Sequence, residues 1–519
     1  MKKLFLTMAA CAAIFTANAE ANIYASSLKV TETGVEFVLN ATPTEVNVNF
    51  YNGEGLVKSI PVADAVKGKN SVSLTGVFEG IAANTELTWE VVATAEANTG
   101  WQCFSAIIDG KDNVPEEQKM GYTNGVAVDN NPQNETFGRI YMLNGTTSNN
   151  DGRQLEVGIY AYNPDLTIIN DGTKAFNGNV DWQNKINSNG ICSSPNTLTA
   201  DDNGNLYISD WSDVHSGIWL VTPNNLAGEW QSLFEIGTDD GGKVYNSNGE
   251  YVHGSITGVC VVGTGEDRVL YTVDEDYEGG SILKYKIGDL TNLPITSAPT
   301  LVYKLSSNDK LVASRNGYLT PDRKGGFWFA QRSSTTTSNR GYFNLLHFTA
   351  DGLMDWSIED YYSTSTVAKA LRQMAFASNL DGSTLVFGLY SCIGVKNVTF
   401  NEDGTIKSCI DGTSLASTNA QRKVSSTIMG AAFDVANNLF VADYSDYFQG
   451  YSFINNDNRY TTPANEALVV NDTMTGIADV AVDANAPVEY YNLQGVKVEN
   501  PANGIFVKKQ AGKATKVIL

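Results

Sequence analysis

Short apolar stretches of about five residues, each closed by Gly, Asn or Asp, recur along the chain and do not extend into a helical repeat. Between residues 100 and 462 they come in pairs. The first member opens on a small or polar residue: Gly125-Val126-Ala127-Val128-Asp129, Thr197-Leu198-Thr199-Ala200-Asp201, Gly258-Val259-Cys260-Val261-Val262, Gly317-Tyr318-Leu319-Thr320-Pro321, Gln373-Met374-Ala375-Phe376-Ala377 and Gly430-Ala431-Ala432-Phe433-Asp434. A polar turn follows, and then a more aromatic member: Ile140-Tyr141-Met142, Leu206-Tyr207-Ile208, Leu270-Tyr271-Thr272, Phe327-Trp328-Phe329, Leu385-Val386-Phe387 and Leu439-Phe440-Val441. The anchors at 125, 197, 258, 317, 373 and 430 are spaced 72, 61, 59, 56 and 57 apart. Four short strands with their turns need roughly 40–60 residues, the size of one propeller blade. An innermost strand sits where blades converge and wants small side chains, while aromatics on the second strand fill the widening wedge. The pattern predicts an all-β chain dominated by a six-bladed β-propeller over residues 100–462. Its closing strand comes from residues 101–108 or from 467–470, the first being preferred.

The flanks follow other rules. Residues 22–98 hold strand-like runs such as Val35-Glu36-Phe37-Val38-Leu39, Val46-Asn47-Val48-Asn49-Phe50 and Leu87-Thr88-Trp89-Glu90-Val91-Val92, separated by turn words such as Asn52-Gly53. About seven short strands there predict a small antiparallel β-sandwich. Residues 463–486 read as a polar linker. Residues 487–519 hold three short strands with glycine turns, carrying five Lys against Glu489 and Glu499. At the other end, Lys2 and Lys3, an apolar run over residues 4–15 and Ala17-Asn18-Ala19 make an export signal cut after Ala19, which predicts a secreted or outer-cell-surface protein. Met8-Ala9-Ala10-Cys11 is the competing lipoprotein reading. No later run reaches the roughly 18 apolar residues of a transmembrane span.

Three resemblances attach to these residues. Gly125-Val126-Ala127-Val128-Asp129 with Ile140-Tyr141, and Asp201-Asp202-Asn203-Gly204-Asn205-Leu206-Tyr207-Ile208-Ser209-Asp210, resemble the NHL and gluconolactonase-like six-bladed propellers. The stretch 68–92, with Gly80 and Trp89, resembles the Ig-like modules placed before many bacterial secreted domains. Tyr491-Asn492-Leu493-Gln494-Gly495 followed by Gly504-Ile505-Phe506-Val507 resembles the C-terminal sorting domains of Bacteroidetes, related to type IX secretion. That last likeness implies the export machinery as a partner. Asp472-Thr473-Met474 also looks like the Asp-Thr-apolar O-glycosylation site of exported Bacteroidetes proteins.

Charge narrows the function. With 35 Lys+Arg against 57 Asp+Glu, a net charge of −22 repels phosphate backbones and excludes nucleic acid as a partner. Three His leave little for a His-built metal centre, and no nucleophile elbow or phosphate-cradling glycine loop occurs. The mature cysteines, Cys103, Cys192, Cys260, Cys392 and Cys409, are odd in number and scattered; they read as buried thiols, with a Cys392–Cys409 bridge as the alternative. The second strands end in polar residues that a propeller gathers on one face: Asn144, Asp210, Asp274, Gln331, Tyr390 and Asp443. With Asn124 and Asn196 just before inner strands, Asp210, Asp274 and Asp443 form a candidate oxygen-donor set for a hard cation such as Ca²⁺. Gluconolactonase-like propellers hold a divalent metal at this end, but no Glu precedes the first inner strand here, where that family would want one. The competing reading is that these Asp residues close loops through Asx-turns. Aromatic and acidic residues in the same loops, Trp211, Asp213, Tyr277, Tyr444 and Asp446, suit a glycan. The expected role is a secreted or surface binding protein for a glycan or protein ligand. The alternative is a divalent-metal-dependent lactonase or hydrolase.

Overall fold

The computed structural model describes residues 20–100, 102–104, 123–145, 149–150, 153–172, 174–182, 194–212, 216–237, 242–305, 317–322, 324–331, 345–357, 376–389, 392–412, 415–416, 428–443, 448–476, 486–510 and 513–519. Strands and a few 3-10 turns are the regular structure among them, and no helix is long and apolar enough to cross a membrane.

Six antiparallel sheets follow one another between residues 102 and 452. Their innermost strands are Thr123–Val128, Thr197–Ala200, Ile256–Val262, Gly317–Pro321, Phe376–Ser378 and Ile428–Phe433. Each packs beside the next, and the sixth lies against the first, so the sheets form a closed ring. This is a six-bladed β-propeller. Blades 2, 3, 4 and 5 run outward in chain order, as in Ile256–Val262, Val269–Asp274, Ser281–Lys286 and Thr300–Lys304 of blade 3. Blade 6 borrows its outermost strand from the start of the ring: Cys103 and Gln102 pair with Tyr451 and Ser452. The preferred closing strand is therefore the one used.

The division between small inner and aromatic outer strands has the expected cause. Tyr207, Tyr271, Trp328 and Phe440 of the second strands are buried in the wedges between blades. Glycines let the inner strands meet where they begin. A Cβ on Gly430 would lie 2.8 Å from Gly125 Cα, and one on Gly258 would collide with the carbonyl of Gly317.

Two sheets outside the ring pack face to face. One orders Ala25–Val30, Gly34–Leu39 and Gly68–Ser73; the other orders Arg459–Pro463, Glu86–Thr94, Glu45–Asn52 and Gly55–Pro61. Phe37, Leu39, Val48, Phe50, Trp89 and Val91 share the core between them. The stretch expected as a linker departs from that reading. Leu468–Val469 also pairs with Glu86–Thr94, and Leu468, Val470 and Met474 are buried in the same core. Periodicity missed this because the completing segment comes more than 360 residues after Trp89 and is only a few residues long.

The sandwich seats on the ring through its first residues. Asn22 and Asn438 of blade 6 exchange bonds: the Asn22 N–H donates to Asn438 Oδ1 (2.7 Å) and Asn438 Nδ2 donates to the Asn22 carbonyl (2.9 Å). Tyr24 stacks edge-on against Phe137 of the ring and Tyr460 of the sandwich, with centroids at 5.6 and 6.1 Å. Residues 486–519 form a separate four-stranded sheet, ordered Lys497–Val498, Val488–Tyr491, Ile505–Gln510 and Lys513–Ile518, in which no described residue is buried.

Candidate functional site

The second strands end on one face, as the sequence required. Asn144 pairs with Thr123, Asp274 with Ile256, Gln331 with Gly317 and Asp443 with Ile428, each opposite the start of its inner strand. Asp210 pairs outward with Gly217 at the same end of blade 2.

What these side chains do there is mostly local. Asp274 is fully buried and saturated. Its Oδ1 accepts from Tyr251 Oη (2.9 Å) and from the N–H groups of Asp276 (2.9 Å) and Tyr277 (3.1 Å); its Oδ2 accepts from Gly254 N–H (2.8 Å). Burial pushes its carboxyl upward, and these bonds work against that push. The carboxylate closes a turn, as the Asx reading anticipated. Asp210, at the same end of blade 2, is also buried. Asn196 is buried, donates Nδ2 to the Thr257 carbonyl of blade 3 (2.6 Å), and leaves its Oδ1 without a partner among the described residues. Among the described residues no three His, Cys, Asp or Glu gather as a metal set. Asn124 and Asp443 lie in strands of blades 1 and 6. Asp213, Tyr390, Tyr444 and Asp446 lie outside the described residues.

The aromatic candidates fare differently. Trp211 leaves blade 2 and donates Nε1 to Glu275 Oε2 of blade 3 at 2.7 Å, bridging the two blades. Two residues on, Tyr277 meets Tyr251 edge-on at 5.1 Å, and Tyr251 meets Tyr245 at 5.7 Å. Tyr251 is held by Asp274; burial, together with that carboxylate, keeps its hydroxyl protonated far above the ordinary range. Tyr245 is 50 % exposed. The three rings and the Trp211–Glu275 link make an aromatic and acidic ridge between blades 2 and 3. Glu278 at the same turn is paired with Lys304 (2.8 Å).

Tyr245 and Tyr251 were not singled out by the sequence reading. They flank Asn246-Ser247-Asn248-Gly249-Glu250, a hairpin word whose paired strands Val244–Tyr245 and Tyr251–His253 bring the rings together. Trp328, in contrast, is wholly buried and belongs to the core. The two described histidines are committed elsewhere. His253 Nε2 and Nδ1 face the carbonyls of Glu235 (2.7 Å) and Gly254 (3.1 Å). His347 lies within a strand, between Asp322 (2.6 Å) and Asp355 (2.5 Å). Cys409 is a free thiol, so the Cys392–Cys409 alternative is not formed; the register places Cys409 opposite Val398 and Cys392 opposite Leu389. Burial pushes the Cys409 thiol up to about 12.

No family model and no curated protein matches the chain. Several solved structures resemble it weakly. A Bacteroides thetaiotaomicron auxiliary nutrient binding protein shares 10 % identity at a TM-score of 0.39, covering 84 % of this chain and 99 % of that one. A Xanthomonas campestris gluconolactonase shares 12 % at 0.34, covering 70 % and 90 %. A catalytically inactive virginiamycin B lyase of Staphylococcus aureus, solved with quinupristin, shares 12 % at 0.37, covering 68 % and 100 %. At such similarity the six-bladed assignment rests on the ring of strands itself.

Proposed function

We propose that this is an exported or cell-surface binding protein that takes a glycan on the ridge between blades 2 and 3. The observation that carries the reading is the T-shaped series Tyr245–Tyr251–Tyr277 beside the Trp211–Glu275 link. Ring faces pack against the C–H faces of sugars, while carboxylates and carbonyls take the hydroxyls; a pocket of apolar walls with a few fixed polar groups is the usual recipe for orienting a small ligand. In this reading the N-terminal signal exports the chain, and the basic sheet at residues 487–519 serves as an export or attachment address. The mature chain should bind members of a glycan panel, and Tyr245→Ala and Tyr277→Ala should each weaken the best of them at least tenfold by calorimetry. A panel without binders, or a binder indifferent to both changes, overturns the reading and leaves a protein ligand as the next to test.

A second reading, a divalent-metal-dependent lactonase or hydrolase, has one observation in its favour: the unpartnered buried Oδ1 of Asn196 lies at the same end of the ring as Asp210 and Asp274. Lactone turnover that needs added Ca²⁺ and is lost in Asn196→Ala supports it, and no turnover excludes it.

A further inference from the structure

The channel through the ring opens on the face opposite the ridge. Each innermost strand hydrogen-bonds a neighbour within its blade on one side only. Its other edge therefore turns N–H and C=O groups toward the axis. The glycine contacts that crowd the strand starts are absent toward the strand ends. There a cavity of about 420 Å³ is lined by all six strands, a volume within the range of small-molecule sites. Despite the apolar residue names, its wall is rich in backbone hydrogen-bonding groups.

The side chains at its mouth are mostly committed. Asp201 accepts from the N–H of Asn203 and Asn205 and pairs with Arg268 (3.0 Å). Asp322 accepts from the N–H of Lys324 and Gly326 and from His347. One acceptor at the rim is left over. Asn130 donates Nδ2 to the Phe433 carbonyl (2.9 Å), and its Oδ1 is enclosed out of reach of solvent. Asp202 is exposed at the rim, and no donor meets its carboxylate among the described residues. Its backbone carbonyl is gripped by Asn131 Nδ2 (2.7 Å) and Asn134 Nδ2 (3.2 Å), which fixes it beside the loop carrying Asn130. Arg268, whose charge reaches Asp202, is already spent on Asp201 and Asn203. No Lys or Arg lines the cavity among the described residues. Leu380, 49 % exposed, adds apolar surface at the mouth.

We propose that this funnel is a second binding site, for a compact organic ammonium ion whose N–H groups meet the Asp202 carboxylate and the strand-edge carbonyls. A donor-rich cation supplies what the described mouth lacks, and among the described residues an anion meets a negative rim where Arg268 is already paired with Asp201. Partial burial, then Asp201 and Asp129, push the Asp202 carboxyl upward, so a cation there also relieves repulsion. The inference does not depend on the glycan reading, since the two sites lie on opposite faces.

Cyclohexylammonium and cyclohexanol share size and shape and differ in charge. By isothermal titration on the mature chain, cyclohexylammonium should bind saturably at one site and at least tenfold more tightly than cyclohexanol. Asp202→Asn should weaken it at least fivefold, and Glu278→Gln, on the ridge face, should leave it unchanged. The Asp202→Asn melting temperature without ligand should be no lower than that of the parent, since the holding bonds are to its backbone and the lost charge is a repelled one. Equal binding of the two probes, non-saturable binding, or equal affinity in Asp202→Asn each overturns the proposal.

Discussion

Asp434 and His347 show how much buried charge this fold contains. Asp434 ends the inner strand of blade 6, accepts from the N–H of Ala436 and Asn438 and from Asn438 Nδ2, and is wholly enclosed by the seat of the sandwich. Enclosure raises its carboxyl to about 7, and the bonds it accepts hold it back from going further. The sign follows from proton counting. Between the unfolded value near 4 and the folded value near 7 the folded chain holds a proton that the unfolded chain has released, so stability falls as pH rises across that window and is level above it. The cost at neutral pH is on the order of a few kcal/mol. Asp434→Asn should flatten the dependence of melting temperature on pH between about 4 and 7; a slope identical to the parent's removes Asp434 as its source. His347 is the counterpart on blade 4. Burial opposes its charge, but Asp322 and Asp355 outweigh burial and raise it above the ordinary imidazole value. His347→Ala leaves two enclosed carboxylates facing each other and should cost about 3–5 kcal/mol in denaturant unfolding, against a much smaller loss for an exposed change such as Lys407→Ala.

At the scale of elements, the strands that repeat were legible and the strands that complete were not. The alternation of Gly-Val-Ala-Val with Ile-Tyr-Met-Leu, read six times, placed the inner and second strands because wedge geometry imposes side-chain size on each. Nothing comparable marks Arg459–Pro463 or Leu468–Val469, whose strand character comes from Glu86–Thr94 across the sequence. The candidate site was legible to the same degree. Trp211 and Tyr277 stand in the loops that follow the second strands of blades 2 and 3, whereas Tyr245 and Tyr251 become neighbours only through a hairpin inserted between blades. Leu468→Ala and Met474→Ala test the completing segment. Both side chains are buried in the sandwich core and should each cost roughly 2–5 kcal/mol, where a true linker would lose almost nothing.

For the whole molecule, the divided use of the two faces makes a joint prediction. Mutations on the ridge should leave ammonium binding in the funnel intact, and Asp202→Asn should leave ridge binding intact. Millimolar Ca²⁺ should move the melting temperature by less than about 1 °C, because Asp274 already spends both oxygens on protein donors. A rise of several degrees, cancelled in Asp210→Asn, would return the metal reading to first place.

The ring begins and ends inside one sandwich: residues before it supply Glu86–Thr94, and residues after it supply Arg459–Pro463 along that same strand. Because the two strands run antiparallel, tension reaching them from the Glu86 and Pro463 sides would peel this ladder open from one end. The arrangement works as a clasp, and a protein tethered at one extremity and tugged at the other would keep its disc intact until the clasp tore.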